Sequence, residues 1–161
     1  MPELIKVGLA DYKSGSAPDS LITYGLGSCI GIALYDTRTK IGGLAHIMLP
    51  DSAQSKPTEN PAKFADKCLP LLLNELLGKG AHKASLQAKI AGGAQMFALN
   101  KATDIMKIGE RNEESVRAVL KKLGIPVVAS DTGENYGRTV ELLLETGKFR
   151  IRTISKGEKE I

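Results

Sequence analysis

The chain has 161 residues, of which 42% are hydrophobic and 25% charged, and its formal net charge is +4. A chain of this length buries roughly 70% of its unfolded surface, so we expect a single domain over residues 1–161 without disulfide or metal support. The basic residues are spread along the chain and the aromatic residues are three Phe and four Tyr, so no nucleic-acid partner is indicated.

Sorting signals and metal motifs are not recognised in the sequence. Residues 1–6 lack the pattern of a signal peptide, and no apolar run approaches the roughly 20 residues that cross a bilayer. The two cysteines lie outside CxxC spacing, which is typical of a reducing compartment. We therefore expect a cytoplasmic protein that does not insert into a membrane. No cluster of His, Cys and Asp has metal-ligand spacing, so no metal is expected.

The first fifty residues are predicted to be mainly β-structure, from loose alternation and from β-branched runs. The predicted strands cover residues 3–12, 21–24, 29–35 and 41–49, with a loop at 13–20 and a hairpin turn near Arg38.

Two helices and further strands are predicted after that. One helix begins at the N-cap Asn60, with Pro61 in its first turn, and ends near Gly78; the other begins at the N-cap Asn112 and ends at Gly124. Predicted strands cover residues 86–91, 104–108, 125–130, 140–144 and 149–154, and residues 155–161 are expected to be a frayed tail. Strands that come partly as hairpins indicate an α+β protein with mixed or antiparallel sheets.

The hairpin at residues 29–49 holds one of the two cysteines, Cys29, and a histidine, His46. Because the hairpin turns near Arg38, the residue numbers of two directly opposite residues are expected to sum to about 75–77. The odd registers place Cys29 and His46 on one face, directly or diagonally opposite, whereas the even register places them on opposite faces.

A cysteine and a histidine on one face are candidates for a nucleophile and its acid/base partner. A neighbouring imidazole is expected to lower the pKa of the thiol and later to protonate the leaving group. The glycine-rich turn before Cys29 allows the backbone around Gly27, Ser28 and Cys29 to point N–H groups at an oxyanion. Thr23 is a candidate third member that holds the imidazole.

The residues alone leave other interpretations open. Cys29 and His46 also suit a small core residue and a structural histidine. Cys68 lies on an apolar helical face and is predicted to be core, although a Cys29–Cys68 disulfide or a redox role is not excluded by spacing. The glycines resemble a dinucleotide fingerprint, but the third is one place late and a strand follows them.

A set of short motifs runs along nearly the whole chain. They are TYGLGSC at 23–29, LYD at 34–36, GLAHIMLPDS at 43–52, KIAGGAQMF at 89–97, IGERN at 108–112, GIPVVA at 124–129, DTG at 131–133, GR at 137–138 and TG at 146–147. In this order they closely resemble the CheD family, the chemoreceptor glutamine deamidases of bacterial and archaeal chemotaxis. The chain departs from the family pattern at Glu134 and Ala91.

The resemblance implies a cysteine hydrolase fold like that of the cytotoxic necrotizing factor toxins, a mixed β-sandwich with helices packed outside. It implies a triad of Cys29, His46 and Thr23 that needs no cofactor and converts receptor glutamines to glutamates through a thioester. It also implies two partners, the cytoplasmic helices of methyl-accepting chemotaxis receptors and a CheC-type phosphatase. A regulatory binding module that mainly activates this phosphatase is the alternative function.

Overall fold

The computed structural model describes residues 2–53, 55–56, 59–96 and 107–161. These residues form strands β1 (Leu4–Lys6), β2 (Asp11–Ser16), β3 (Ser20–Leu26), β4 (Ile30–Asp36), β5 (Ile41–Ile47), β6 (Leu86–Gly92), β7 (Val127–Thr132), β8 (Arg138–Leu143), β9 (Phe149–Thr153) and β10 (Gly157–Glu160), and helices α1 (Ala65–Gly78) and α2 (Ile108–Leu123).

The strands form two sheets of five strands each. The first sheet has the order β1-β3-β8-β9-β10 and the second the order β2-β5-β4-β6-β7. The β1–β3 and β6–β7 pairs are parallel and the other pairs are antiparallel, so both sheets are mixed.

The second sheet is covered on both faces and lies in the middle of the molecule. Strand β4 shows this directly, because all seven of its residues are buried. Ile30, Ile32 and Leu34 belong to an outer core that contains the buried hydrophobic residues of both helices. Ala33 and Tyr35 belong to an inner core shared with the first sheet. The prediction of an α+β protein with a mixed β-sandwich and external helices is confirmed.

Both helices begin at other residues than the sequence predicts. Asn60 caps only a short 3-10 turn at Pro61–Lys63, and α1 starts at Ala65 because Phe64 is extended and pairs with Leu49. Helix α2 starts at Ile108, so Asn112 lies inside the helix and is fully buried instead of capping it. The predicted strand at 104–108 lies mostly outside the described residues, and Ile108 is helical.

Two segments predicted to be irregular are strands. The predicted loop at 13–20 contains most of β2, which pairs with β5 along its whole length. The predicted frayed tail contains β10, which pairs with β9, and the backbone of Ile161 exchanges hydrogen bonds with Phe149. Both are edge strands, whose pairing comes from backbone hydrogen bonds that side-chain patterns do not show.

Helices long and apolar enough to span a bilayer are absent from the described part of the chain.

Candidate active site

The hairpin of β4 and β5 sets the relative position of Cys29 and His46. Gly31 pairs directly with His46, which is the odd register in which Cys29 is the diagonal neighbour of the histidine. Cys29 immediately precedes β4 and packs, half-buried, against the inner core, the same core that contains Leu44, two residues before His46. Of the registers that the sequence left open, the structure has one that places the two residues on one face.

Thr23 reaches His46 from the opposite sheet. It lies on β3 of the first sheet, and its Oγ1 atom is 2.8 Å from Nδ1 of His46. Each residue is only 1% exposed, so water does not compete for this hydrogen bond. The structure therefore brings Thr23 and His46 together across the sandwich, an arrangement that strand patterns alone could not predict.

The partners of the Thr23 hydroxyl determine the tautomer of His46. The hydroxyl group has one hydrogen, and it donates this hydrogen to the carbonyl oxygen of Val7 at 2.8 Å. Oγ1 must then accept from Nδ1–H of His46, which leaves Nε2 with a free lone pair. Nε2 is buried and has no hydrogen-bond partner among the described residues. An unprotonated ring nitrogen of this kind can accept a proton.

Burial keeps both members of the Cys-His pair neutral. It lowers the pKa of His46 to about 4, because the imidazolium form would lose its hydration. Burial also raises the pKa of the Cys29 thiol. The thiol pKa is therefore raised by burial, and not lowered as was expected from a neighbouring imidazole. The pair is suited to proton transfer during nucleophilic attack, not to a preformed thiolate.

The turn at residues 27–29 is held by backbone hydrogen bonds from the segment after β6. The N–H of Ala94 donates to the carbonyl of Gly27 at 2.9 Å, and the N–H of Gly93 donates to the carbonyl of Cys29 at 2.8 Å. Gly92 has a φ of +111°, and a Cβ at this position would overlap the carbonyl oxygen of Cys29. A glycine is required here both by the conformation and by the close approach.

Sequence reasoning missed the residues that support this turn. Asn112 donates to the carbonyl of Ser28, although its position before Glu113 and Glu114 predicted a helix N-cap. Arg138 is buried, pairs with Asp131 at 3.2 Å, and donates to the carbonyl of Gly133. The motifs at 108–112 and 137–138 contained both residues, but Ser28 is far from Asn112 in sequence, and no periodic pattern marks the contacts of Arg138 with the nearby Asp131 and Gly133.

Cys68 lies on the other side of the second sheet. It belongs to the outer core and is fully buried, and burial raises the pKa of its thiol to about 12. Cys29 faces the inner core, and both cysteines are free thiols. The prediction that Cys68 is a core residue is confirmed, and the two sulfurs do not form a disulfide.

Clusters of three or more His, Cys, Asp or Glu side chains able to hold a metal ion are not found among residues 2–53, 55–56, 59–96 and 107–161.

Comparison with known proteins identifies the family. A family model described as CheD chemotactic sensory transduction matches residues 48–153. The protein called "Probable chemoreceptor glutamine deamidase CheD" of Syntrophomonas wolfei is 53% identical over 161 residues, which is 100% of both chains. The "Chemoreceptor glutamine deamidase CheD" of Halalkalibacterium halodurans is 51% identical over 162 residues, again 100% of both chains.

A structural neighbour is the Bacillus licheniformis hypothetical protein YfiH, with a TM-score of 0.48 and 15% identity over 78% of this chain and 49% of that one. A likeness this weak adds nothing to the architecture described above.

The alignments with the two full-length relatives cover residues 1–47 of this chain, which the family model does not match. These residues include Thr23, Cys29 and His46. On the family match and these relatives together, the chain belongs to the CheD family.

Proposed function

We propose that this protein is a protein-glutamine glutaminase that hydrolyses glutamine side-chain amides of chemoreceptors to glutamates. Relatives at about half identity over their whole length carry the name chemoreceptor glutamine deamidase. We further propose that Cys29 is the nucleophile, His46 the acid/base residue and Thr23 the residue that orients the imidazole.

The hydrogen-bond chain from His46 through Thr23 to Val7 is the observation that carries the proposal. It supports an imidazole with a proton on Nδ1 and a lone pair on Nε2, which a general base requires. Cysteine hydrolases use this division of roles between the two ring nitrogens, with a third group that orients the ring. Here the third group is a neutral hydroxyl, so the imidazole stays neutral until the reaction begins.

In the first half of the reaction, the Cys29 sulfur attacks the carboxamide carbon while its proton passes to Nε2 of His46. The carbonyl π electrons move to oxygen and form a tetrahedral oxyanion. His46 then gives this proton to the amide nitrogen, the C–N bond breaks and ammonia leaves. The receptor is now held as a thioester on Cys29.

In the second half, water attacks the thioester carbon and gives a proton to Nε2 of His46. The C–S bond breaks, and the sulfur takes the proton back as a thiol. The net change is glutamine plus water to glutamate plus ammonia, so the triad is regenerated and no redox step occurs.

The backbone around Gly27 and Ser28 is proposed to stabilise the oxyanion. The carbonyls of residues 27–29 all accept hydrogen bonds from the protein body. In a trans peptide the N–H points away from the carbonyl of the same plane, so the N–H groups of Ser28 and Cys29 are directed away from that body. Such N–H groups are the usual donors to a developing oxyanion.

The partners and the compartment follow from the proposal. Because the target glutamines of this family lie on cytoplasmic receptor helices, we propose a cytoplasmic protein. Its two free thiols suit that compartment. We also propose binding of a CheC-type phosphatase, which rests on family membership alone. If binding were the main function, a Cys29→Ala protein would still stimulate the phosphatase while losing deamidation.

The proposed function is tested with the purified protein and a receptor cytoplasmic fragment. Peptide mass spectrometry follows the conversion of glutamine to glutamate. We expect wild type to convert specific glutamines and Cys29→Ala to convert none, because the nucleophile is gone.

Cys68→Ala is the matched control, since it removes the other thiol from the outer core without touching the inner one. It should retain the activity of its folded fraction. Equal conversion by wild type and Cys29→Ala would contradict the proposed nucleophile, and no conversion by wild type would contradict the proposed function.

A further inference from the structure

The three carbonyl groups of the turn at residues 27–29 do not share one kind of donor. Backbone N–H groups hold Gly27 and Cys29 from the segment after β6. The middle carbonyl, that of Ser28, is held by a side chain instead, through a 2.9 Å hydrogen bond from Nδ2 of Asn112. The orientation of this middle peptide plane therefore depends on one side chain of α2.

Asn112 uses both hydrogens of its amide group in the same region. Besides the carbonyl of Ser28, its Nδ2 donates at 2.9 Å to the carbonyl of Met48. Two carbonyl oxygens can only accept, so the group facing them must be the NH₂ and not the oxygen of the amide. The amide thus bridges the turn before Cys29 and the residue directly after β5, the strand that carries His46.

The position of Asn112 is set by close packing of α2. Asn112 is fully buried on α2. One turn earlier, Gly109 lets the helix backbone approach the segment after β6, because a Cβ there would overlap the carbonyl oxygens of Gly93 and Ala94. The backbone of α2 at Asn112 is consequently held close to this segment, and the buried amide lies between the two carbonyls to which it donates.

The Ser28 carbonyl and the Cys29 N–H belong to one peptide plane. This peptide is trans, since the only cis bond in the described chain is Ala17–Pro18. The two groups therefore point in opposite directions, and a donor that holds the carbonyl also sets the direction of the N–H. That N–H belongs to the nucleophile itself and lies beside its sulfur.

We propose that Asn112 is a positioning residue of the active site, which aims the Cys29 N–H at the reacting carbonyl oxygen by holding the Ser28 carbonyl and couples this plane to the strand of His46. The inference rests on the function proposed above. Asn112 touches no substrate atom; it acts through the backbone. Loss of one aligned oxyanion donor slows enzymes by roughly 100- to 1,000-fold.

The test compares two reactions of the same sulfur. Iodoacetamide alkylates a thiol by displacement at a saturated carbon and forms no oxyanion. An activated ester acylates the thiol through a tetrahedral oxyanion and needs the aligned N–H. Both rates are read from the intact mass of the protein. Deamidation of the receptor fragment supplies kcat and KM in parallel.

Asn112→Leu removes both donors at similar volume and adds no charge. We expect acylation and kcat to fall on the order of 100-fold, while KM and alkylation stay within about threefold of wild type. Asn112→Ala gives the same comparison if the leucine variant does not fold. Ser115→Ala is the matched control, because Ser115 lies on the same helix and donates to the carbonyl of Pro50, outside the turn.

Three results would overturn the proposal: an equal loss of acylation and alkylation rates, a change in KM alone, or no change in any rate. An equal loss of both rates is what a merely structural role of Asn112 would produce. The readout is independent of the receptor. If wild type acylates with the ester but does not deamidate the receptor, the proposed function fails while the ratio of the two rates still decides the role of Asn112.

Discussion

At the scale of single residues, the site depends on a threonine hydroxyl that takes part in two hydrogen bonds. Its hydrogen is used by the Val7 carbonyl, so its oxygen can only accept from His46. A carboxylate in this place would stabilise the imidazolium, whereas a hydroxyl does not. This difference agrees with the low pKa of the buried His46, about 4, and with proton transfer during attack instead of before it.

Thr23→Val is the sharpest change at this position, because it keeps the shape and removes the hydroxyl. Nδ1–H of His46 would lose its acceptor, and the tautomer with a free Nε2 would no longer be favoured. We expect kcat for deamidation to fall on the order of 100-fold, with little change in KM.

Thr23→Ser is the matched control for this variant, since it keeps the hydroxyl and should stay within about threefold of wild type. Steady-state kinetics on the receptor fragment checks both. If valine and serine at this position gave the same kcat, the hydroxyl would not orient His46.

At the scale of elements, the turn before Cys29 is shaped by segments that are distant in sequence. The segment after β6 and helix α2 supply the donors that hold its carbonyls. Local patterns predicted the glycine turn and both flanking strands. They could not predict its partners, because hydrogen bonds over such sequence separations leave no periodic signal.

Gly92→Ala tests the contact between the end of β6 and this turn. The residue has a φ of +111° and its Cβ would meet the Cys29 carbonyl oxygen. We expect a loss of about 1–3 kcal/mol in the free energy of unfolding, and a fall in kcat because Cys29, the proposed nucleophile, would be displaced. Urea unfolding and receptor-fragment kinetics measure the two effects.

Gly78→Ala is the matched control for the glycine substitution. Gly78 is the last residue of α1, and its added Cβ would meet nothing within 4 Å. This variant should gain up to about 1 kcal/mol in stability and keep its activity. A Gly92→Ala protein as stable and active as wild type would mean that the close approach does not shape the site.

The helix starts show where sequence reasoning failed and why that matters for the site. Asn60 and Asn112 both have the composition of an N-cap, and Asn60 does accept a hydrogen bond from the N–H of Ala62. Asn112 instead belongs to the second turn of α2, where a buried amide is used for tertiary hydrogen bonds. Capping preference could not distinguish the two, because both roles use the same side chain.

At the scale of the whole molecule, the sandwich places the candidate residues at the junction of its two sheets. The β-branched run of β4 and the polar turn after it predicted the hairpin from local sequence, but the register, and with it the common face of Cys29 and His46, was left open. The meeting of β3 with β5 across the inner core needed the tertiary fold. The two edge strands β2 and β10 were missed because their residues are mostly polar or exposed.

The buried His46 should make the stability of the whole molecule depend on pH. Its pKa is about 4 when folded and near 6.5 when unfolded. The unfolded chain therefore binds the proton more readily, and stability is lost as pH falls through this window. We expect a loss on the order of 3 kcal/mol from pH 7 to pH 4.

Urea unfolding at pH values from 7 to 4 checks this loss, with His46→Gln as the control that should show a flatter dependence. Burial opposes the ionisation of Asp36, but hydrogen bonds from backbone N–H groups lower its pKa to about 2. Its contribution is therefore lost only at more acid pH. Equal pH dependence in wild type and His46→Gln would show that His46 is not held neutral.

The proposed thioester between Cys29 and a receptor glutamine can be trapped during turnover. Wild type is mixed with the receptor fragment, the reaction is stopped with acid during turnover, and the conjugate is digested for mass spectrometry. We predict a peptide in which Cys29 is joined to the side chain of a target glutamine, sensitive to hydroxylamine, present in Cys68→Ala and absent in Cys29→Ala. A conjugate at any other residue, or continued deamidation by Cys29→Ala, would contradict the proposed role of Cys29 as nucleophile.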